Sequence, residues 1–167
     1  MRKKDSGTVS GAWRQPSGTD LVLDGLLRNY PAVQYEMVKY LSEHLSDSTR
    51  SIDGDLDQVL ILAVLGQRFL DGRLGMGDSQ ISATRLAAAT GLQRETVRRK
   101  LLKMSKRNWV IQTEEGAWTL KLNDQGHTFA GVDLASVDRR GIERLARLLK
   151  ALNNILSSDS RPPAEEL

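Results

Sequence analysis

The residues with the clearest chemical potential in this chain are basic and lie between positions 85 and 107. This segment holds eight Lys or Arg residues and one acid, Glu95, so its net charge is +7, whereas the whole chain of 167 residues carries +3. A basic segment in an otherwise acidic chain is typical of a protein that binds a polyanion. A charged run is more often a solvated helix face, so the spacing of the residues has to decide between that alternative and a binding surface.

The spacing predicts two helices joined by a tight turn. Ser82 can cap a short helix that ends at Ala89, and Thr90 and Gly91 interrupt the pattern. Glycine supplies the positive φ that such a turn needs. A second helix is predicted over residues 93–107, and its apolar residues form one stripe of Val97, Leu101 and Met104.

The opposite face of this second helix carries charge, which is the division that a DNA-recognition helix requires. One face would hold the helix to the protein, while the other lies in the major groove. Arginine can donate two hydrogen bonds to guanine, and glutamate can accept one from cytosine. The residues predicted to read bases are Arg94, Glu95, Arg98 and Arg99. The residues predicted to bind phosphate, which adds affinity without sequence information, are Thr84, Arg85, Gln93, Lys103, Lys106 and Arg107.

A short β-hairpin is predicted directly after this helix. Apolar and polar residues alternate over positions 118–122, and Glu115-Gly116 marks a turn behind the apolar run at 109–111. We expect Trp109 and Trp118 to pack inside this unit rather than stack on bases. The order of helix, turn, helix and hairpin is that of a winged helix-turn-helix.

The stretch TGLQRETVRRKLLKM resembles the helix-turn-helix of Crp-type bacterial regulators, and VRRKLLKMSKRNWV resembles the recognition helix and first wing strand of MarR-type repressors. The resemblance covers residues 80–122. It implies a mainly α fold, namely a winged helix-turn-helix with a small hairpin wing and flanking dimerisation helices. In the Crp pattern the base contacts match Arg94, Glu95 and Arg99.

The chain departs from these patterns at three places. The mostly helical residues before position 80 cannot supply the β-roll of Crp-type proteins, so no cyclic nucleotide is implied. Gln93 stands where Ser or Thr is usual, which weakens the predicted helix start. The hairpin tip carries Glu114 and Glu115 where MarR-type wings often have an arginine, which argues against insertion into the minor groove.

A long amphipathic helix is predicted near the C-terminus, from about 133 to 156. Its stripe exceeds what one helix needs to lie on a small core, so we expect it to form a homodimer. The alternative is that it packs on the predicted helix 56–71 of its own chain, which Asp55 is positioned to cap. The residues predicted to dimerise are Ile142, Leu145, Leu149, Leu152 and Leu156.

Composition excludes several other classes of protein. The chain has no cysteine and only two histidines, His44 and His127, so thiolate metal sites and Cys or Ser-His-Asp nucleophiles lack their residues. Asp53, Asp55 and Asp57 do not make a calcium loop, because Gly54 is misplaced and no glutamate follows at the right distance. We therefore predict no catalytic residue, no metal and no cofactor. Without a membrane span or a secretory signal, the expected location is the cytoplasm.

The chain is predicted to divide into five segments. Polar stretches at 46–54 and 72–80 are read as links between helices. The segments are a flexible basic arm (1–19), an N-terminal helical segment (20–54), the winged helix-turn-helix domain (55–123), the C-terminal dimerisation helix (124–157) and a disordered tail (158–167).

Together these features predict a bacterial transcriptional regulator that reads an inverted repeat in double-stranded DNA as a homodimer. An unidentified small-molecule effector could act between the helical layer and the DNA-reading heads. The alternative is a winged-helix module that binds another protein and has no specific affinity for DNA. An enzyme is not expected.

Overall fold

The computed structural model describes residues 17–159, so most of the predicted N-terminal arm and C-terminal tail lies outside the described residues. The described part is mainly helical, with one small antiparallel hairpin. Among residues 17–159, no helix combines the length and the apolarity needed to cross a bilayer. In chain order the elements are α1 (Gly18–Arg28), α2 (Tyr30–Ser51), α3 (Leu56–Arg73), α4 (Ala83–Thr90), α5 (Arg94–Lys106), β1 (Val110–Gln112), β2 (Trp118–Leu120), α6 (Phe129–Asp133) and α7 (Ala135–Asp159).

The polar link predicted at 46–54 is wrong for its first six residues, because α2 continues through Ser51. The polar side chains there bond within the helix or across to another one. The Ser51 hydroxyl donates to the Asp47 carbonyl at 2.8 Å, and Ser48 is buried. The proposed arm also ends earlier than position 19, since Ser17 and Asp20 form a capping box that starts α1.

The core lies between α3, α4, α5 and the hairpin. Asp55 caps α3 as its position predicts, and its carboxylate accepts from the Gln58 amide at 3.2 Å. The helix α3 continues through Arg73, which is two residues into the link predicted at 72–80. The fully or nearly buried apolar residues of this core are Ile52, Ile61, Leu65, Ile81, Leu86, Val97, Leu101, Met104, Trp109, Val110, Trp118, Leu120 and Ala130.

The hairpin pairs Val110 with Leu120 and Gln112 with Trp118. Ile81, just before α4, adds a single bridge to the other side of β2, exchanging two backbone hydrogen bonds of 3.0 and 2.8 Å with Trp118. Trp109 and Trp118 are both buried, which confirms that they pack within this unit. The Trp109 indole also donates to Asp133 at 2.6 Å and ties the end of α5 to α6.

The C-terminal helix α7 packs mainly on α2 and α1, not on the helix that begins at Leu56. Asp47 of α2 binds Arg140 and Arg144, whereas Glu43, one turn earlier in α2, faces Arg147 at 3.7 Å. The residue numbers rise in one helix as they fall in the other, so α2 and α7 are antiparallel. The helix therefore has an intramolecular partner, but a different one from the alternative considered above.

Asp47 is the electrostatic centre of this packing. Its carboxylate accepts from Arg140 Nε at 2.9 Å and from Arg144 Nη2 at 2.6 Å. These two hydrogen bonds lower the pKa of Asp47 from 3.8 to about 2 despite its burial, and the bond from Arg140 has the larger effect. The same contact raises the pKa of Arg140. Protonation of Asp47 therefore opposes folding.

We expect Asp47→Asn to destabilise the protein at neutral pH and to lose that effect in acid. Because the pKa of Asp47 is lower in the folded protein than in the unfolded chain, its stabilisation is complete above pH 3.8 and falls as the pH approaches 2. Thermal unfolding at several pH values should show a lower Tm for the variant at pH 7 and a gap that narrows between about pH 4 and pH 2. Glu43→Gln, whose longer contact is more exposed, is the matched control. A gap that is constant from pH 7 to pH 2 would contradict this role.

Candidate nucleic-acid interface

Local contacts begin α4 and form the turn between α4 and α5. Ser82 caps α4 through the Arg85 amide at 3.3 Å, and the Thr90 hydroxyl donates to the Leu86 carbonyl at 2.8 Å. Gly91 ends the helix with φ at +71°, the left-handed conformation that the sequence predicts for it. Gln93 precedes α5 and makes no capping hydrogen bond with its side chain, as its residue type predicts.

One side of α5 is completely buried. Val97, Leu101 and Met104, called here the anchor stripe, each have 0% of their surface exposed and pack with Leu86 of α4 in the core. The predicted stripe is therefore confirmed. Burial of this kind leaves the helix no freedom to rotate about its axis, because any rotation would expose apolar surface.

The other side of α5 presents Glu95, Arg99, Leu102 and Lys106, called here the outer row. Each lies two residues from a member of the anchor stripe, a rotation of about 200° at 3.6 residues per turn. All four are exposed, including 43% of Leu102. The outer row therefore points directly away from the protein.

Glu95 and Arg98, two of the predicted base readers, are bound to each other. Arg98 Nη2 lies 2.8 Å from Glu95 Oε1, and Arg98 Nε lies 3.0 Å from Oε2. The hydrogen bond from Arg98 lowers the pKa of Glu95, and the same bond raises the pKa of Arg98. The spacing of four residues would also allow Glu95 to pair with Arg99 on a solvated face, but the carboxylate binds Arg98 instead. Such an exposed pair contributes little stability.

The flank of α5 that faces α3 meets three carboxylates, Asp53, Asp55 and Asp57, called here the acidic corner. Lys100 Nζ lies 2.6 Å from Asp55 Oδ2 and 3.8 Å from Asp57 Oδ2. Burial is the strongest single influence on Asp55 and raises its pKa, but the hydrogen bonds from Lys100 and Gln58 together outweigh it and lower the pKa. Lys100 and Asp55 thus form a largely buried pair between α3 and α5.

The acidic corner also engages two residues predicted to bind phosphate. Arg107 forms an ion pair with Asp53, and Lys103 Nζ lies 3.8 Å from Asp53 and 4.0 Å from Asp55. The Arg107 guanidinium additionally lies 5.0 Å from the centre of the Trp109 ring. Both cations are therefore turned toward the protein's own carboxylates.

The remaining predicted site residues lie open to solvent. Arg85, Arg94, Arg99 and Lys106 are exposed, and within residues 17–159 none of them forms an ion pair. Thr84, in the first turn of α4, is exposed as well. The hairpin tip presents Glu114 and Glu115, also exposed, on the β side of this surface.

Sequence reasoning missed the role of the acidic corner. The signal was present, because three acids alternate around the start of a core helix in a chain whose main positive charge lies on another helix. Only the packing of α3 against α5 brings the two charges together. In the part of the chain that the structure describes, no group of three His, Cys, Asp or Glu residues is arranged to hold a metal ion.

A cavity of about 400 Å³ lies between α2, α3, α6 and the start of α7. His44 lies on its wall, and His44 Nδ1 is buried without a hydrogen-bond partner among the described residues. The His44 ring stacks on Tyr40 with centroids 5.6 Å apart, which fixes its orientation. The apolar residues that line the cavity include Ile52, Val59, Leu62, Phe69, Leu134 and Val137.

No family model, no curated protein and no solved structure matches this chain. Function therefore has to be inferred from the arrangement of α4, α5 and the hairpin.

Two adjacent leucines test whether the anchor stripe holds α5. We expect Leu101→Ala to lower the free energy of unfolding by about 2–5 kcal/mol, because it leaves a cavity where the side chain is fully buried. Leu102→Ala removes the same atoms from an exposed site and should change it by about 0.5 kcal/mol or less. Urea unfolding of both variants measures the difference. Similar losses would show that α5 is not oriented as described.

Proposed function

We propose that this protein is a sequence-specific DNA-binding transcriptional regulator in which α4, α5 and the hairpin act as a winged helix-turn-helix. The observation that carries the proposal is the two-sided character of α5. Its anchor stripe is fully buried, whereas its outer row and the nearby Arg94 are exposed. A helix held from behind in this way can enter the major groove, which is wide enough for one α-helix.

The exposed residues of α5 then divide by chemistry. Arg94 and Arg99, which have no carboxylate partner in the described chain, are suited to bidentate contacts with guanine. Leu102 is suited by its apolar side chain to contact a thymine methyl group. Glu95 and Arg98 would read bases only after their mutual ion pair opens or reorients. Lys106 is suited to a phosphate, which carries no sequence information.

The protein is proposed to act as a homodimer, because α2 and α7 share an exposed apolar face. Tyr40 and His44 of α2 pack toward Gly141 and Leu148 of α7, and the ion pairs of Asp47 lie along one edge of this contact. On each helix, a set of exposed apolar residues lies two positions along the chain from the charges that form ion pairs. Two positions correspond to a rotation of about 200°, so these apolar residues lie along the opposite edge of the contact between α2 and α7. These residues are Leu41 and Leu45 of α2 and Ile142, Leu145 and Leu149 of α7.

A second copy is the occupant that best explains this apolar face. Two helices, α2 and α7, present it side by side, and an apolar surface of this kind is typical of an obligate partner. Leu152 and Leu156, also predicted to dimerise, are half-buried within the protomer and offer less surface to a second copy. A two-fold dimer would read an inverted repeat with half-sites roughly 34–36 Å apart.

The cavity beside His44 is the place where an effector could act. It lies between the helical layer of α2 and α7 and the core that carries α5. Its volume falls within the usual range for small-molecule sites. A ligand that hydrogen-bonds His44 Nδ1 would satisfy a polar atom that is otherwise buried without a partner.

The alternative function is a winged-helix module that binds a protein. The exposed Glu114 and Glu115 at the hairpin tip favour it, because a DNA backbone would repel them. The two functions differ in their dependence on salt. Affinity for DNA falls steeply with rising salt, whereas an undetectable affinity for duplex DNA at low salt would leave the protein-binding function.

Selection of bound fragments from a random duplex pool tests DNA recognition, and three variants assign the roles. With the selected duplex, Arg94→Ala and Arg99→Ala should each weaken binding by about 1–3 kcal/mol and relax the base preference at one position. Lys106→Ala should weaken binding to selected and scrambled duplexes alike. Equal, sequence-independent losses from all three variants would contradict this division.

The dimer is tested at Leu149, which is 59% exposed on the apolar face. We expect Leu149→Glu to shift the protein from dimer to monomer in analytical ultracentrifugation, because it would bury a charge in the interface. Lys150→Glu, an exposed change on the next residue, should leave the dimer intact. A monomeric wild-type protein, or a variant that remains dimeric, would rule out this interface.

A further inference from the structure

Asp53 lies in the joint between α2 and α3 and is held in an unusual backbone conformation. Its φ is +53°, in the left-handed region, and the next residue closes the turn with a hydrogen bond of 2.9 Å from the Gly54 amide to the Thr49 carbonyl. Ile52, on its other side, is buried in the core. The joint is therefore anchored on both sides and directs the Asp53 carboxylate toward the C-terminal end of α5.

This carboxylate meets cations on the rim of the candidate interface. It pairs with Arg107 and lies 3.8 Å from Lys103 Nζ, while its own side chain stays 60% exposed. A cation that already has a carboxylate neighbour gains less from a phosphate, because the phosphate has to replace or share that neighbour. The cations that form no ion pair within the described residues are Arg85, Arg94, Arg99 and Lys106.

We propose that Asp53 competes with DNA phosphates for Lys103 and Arg107 and so limits the sequence-independent part of the protein's affinity for DNA. This inference rests on the proposed DNA-binding function. Contacts with the DNA backbone are thereby concentrated on α4, the outer row and the N-terminal end of α5. A regulator gains from this restriction, because a genome offers far more non-specific sites than specific ones.

The three acids of the corner differ in what they do. Asp55 caps α3 and pairs with the largely buried Lys100, so its role is structural. Among the described residues, Asp57 forms an ion pair only with Lys100, at 3.8 Å. Asp53 alone pairs with Arg107 and caps no helix. Asn accepts the left-handed conformation readily, so Asp53→Asn removes the charge and keeps the backbone.

The test compares wild type, Asp53→Asn and Asp57→Asn on a selected and a scrambled duplex across a salt series, followed by fluorescence anisotropy. Asp53→Asn should raise the affinity for both duplexes, on the order of fivefold at 0.1 M salt. It should also steepen the slope of log K against log salt by about 0.9 for each freed cation. The ratio between the two duplexes should not change, because phosphate contacts carry no sequence information. Asp57→Asn makes the same charge change and should have a much smaller effect.

A second pair of variants connects the effect to one cation. Lys103→Gln should weaken binding little in the wild type, where Asp53 already engages Lys103, and more strongly in the Asp53→Asn background. Lys106→Gln, at a cation without an acidic neighbour in the described chain, should weaken binding equally in both backgrounds. Such non-additivity between neighbours isolates the pairwise interaction.

The outcomes separate this inference from the proposed function. If wild type binds the selected duplex and Asp53→Asn shows the same affinity and salt slope, the competition is disproved while DNA recognition stands. A gain of equal size from Asp57→Asn would also overturn it, since general charge would then suffice. A lower affinity with a lower ratio would show that Asp53 only positions α5. No binding by either protein at low salt overturns both proposals.

Thermal unfolding checks that the variants are folded. If Asp53→Asn is unstable, Asp53→Gly replaces it, because glycine also accepts the positive φ.

Discussion

Burial of Val97, Leu101 and Met104 is the interaction on which the candidate interface depends. With no exposed surface on these three side chains, the rotation of α5 is fixed, and so is the direction of every charged residue on it. The buried pair of Lys100 and Asp55 adds a polar constraint on the flank of the same helix. An apolar stripe sets which face points outward, and a directional ion pair then holds the helix against α3. The proposed DNA-reading face is a consequence of that fixed orientation.

The charges of α5 have unequal meaning once the helix is packed. In the sequence they form one basic run, but in the structure they separate into three groups. One group is compensated by the acidic corner, one consists of Arg98 bound to Glu95, and one, with Arg94, Arg99 and Lys106, has no carboxylate partner within the described residues. Net charge therefore overstates the cationic surface that this helix offers to a polyanion.

The sequence predicts local structure here far better than the contacts between distant elements. The anchor stripe, the left-handed Gly91, the cap at Asp55 and the burial of both hairpin tryptophans follow from periodicity and from the needs of single residues. The predicted end of α2 is wrong, because polar residues such as Asp47 can form tertiary contacts within a helix as well as occur in links. The sequence does not predict the partners of Lys103, Arg107 and α7, because these contacts depend on how α2, α3 and α5 pack together. DNA binding, the dimer and an effector remain proposals.

The hydrogen bond from the Trp109 indole to Asp133 has a consequence for spacing. It joins the short segment between α5 and β1 to the end of α6, a helix of only five residues, and α7 begins at Ala135. Few residues are therefore left between the proposed DNA-reading helix and the helix that would meet a second copy. In a dimer assembled through α7, the distance between the two α5 helices would then be nearly fixed. Such a dimer would tolerate few insertions or deletions of base pairs between its two half-sites.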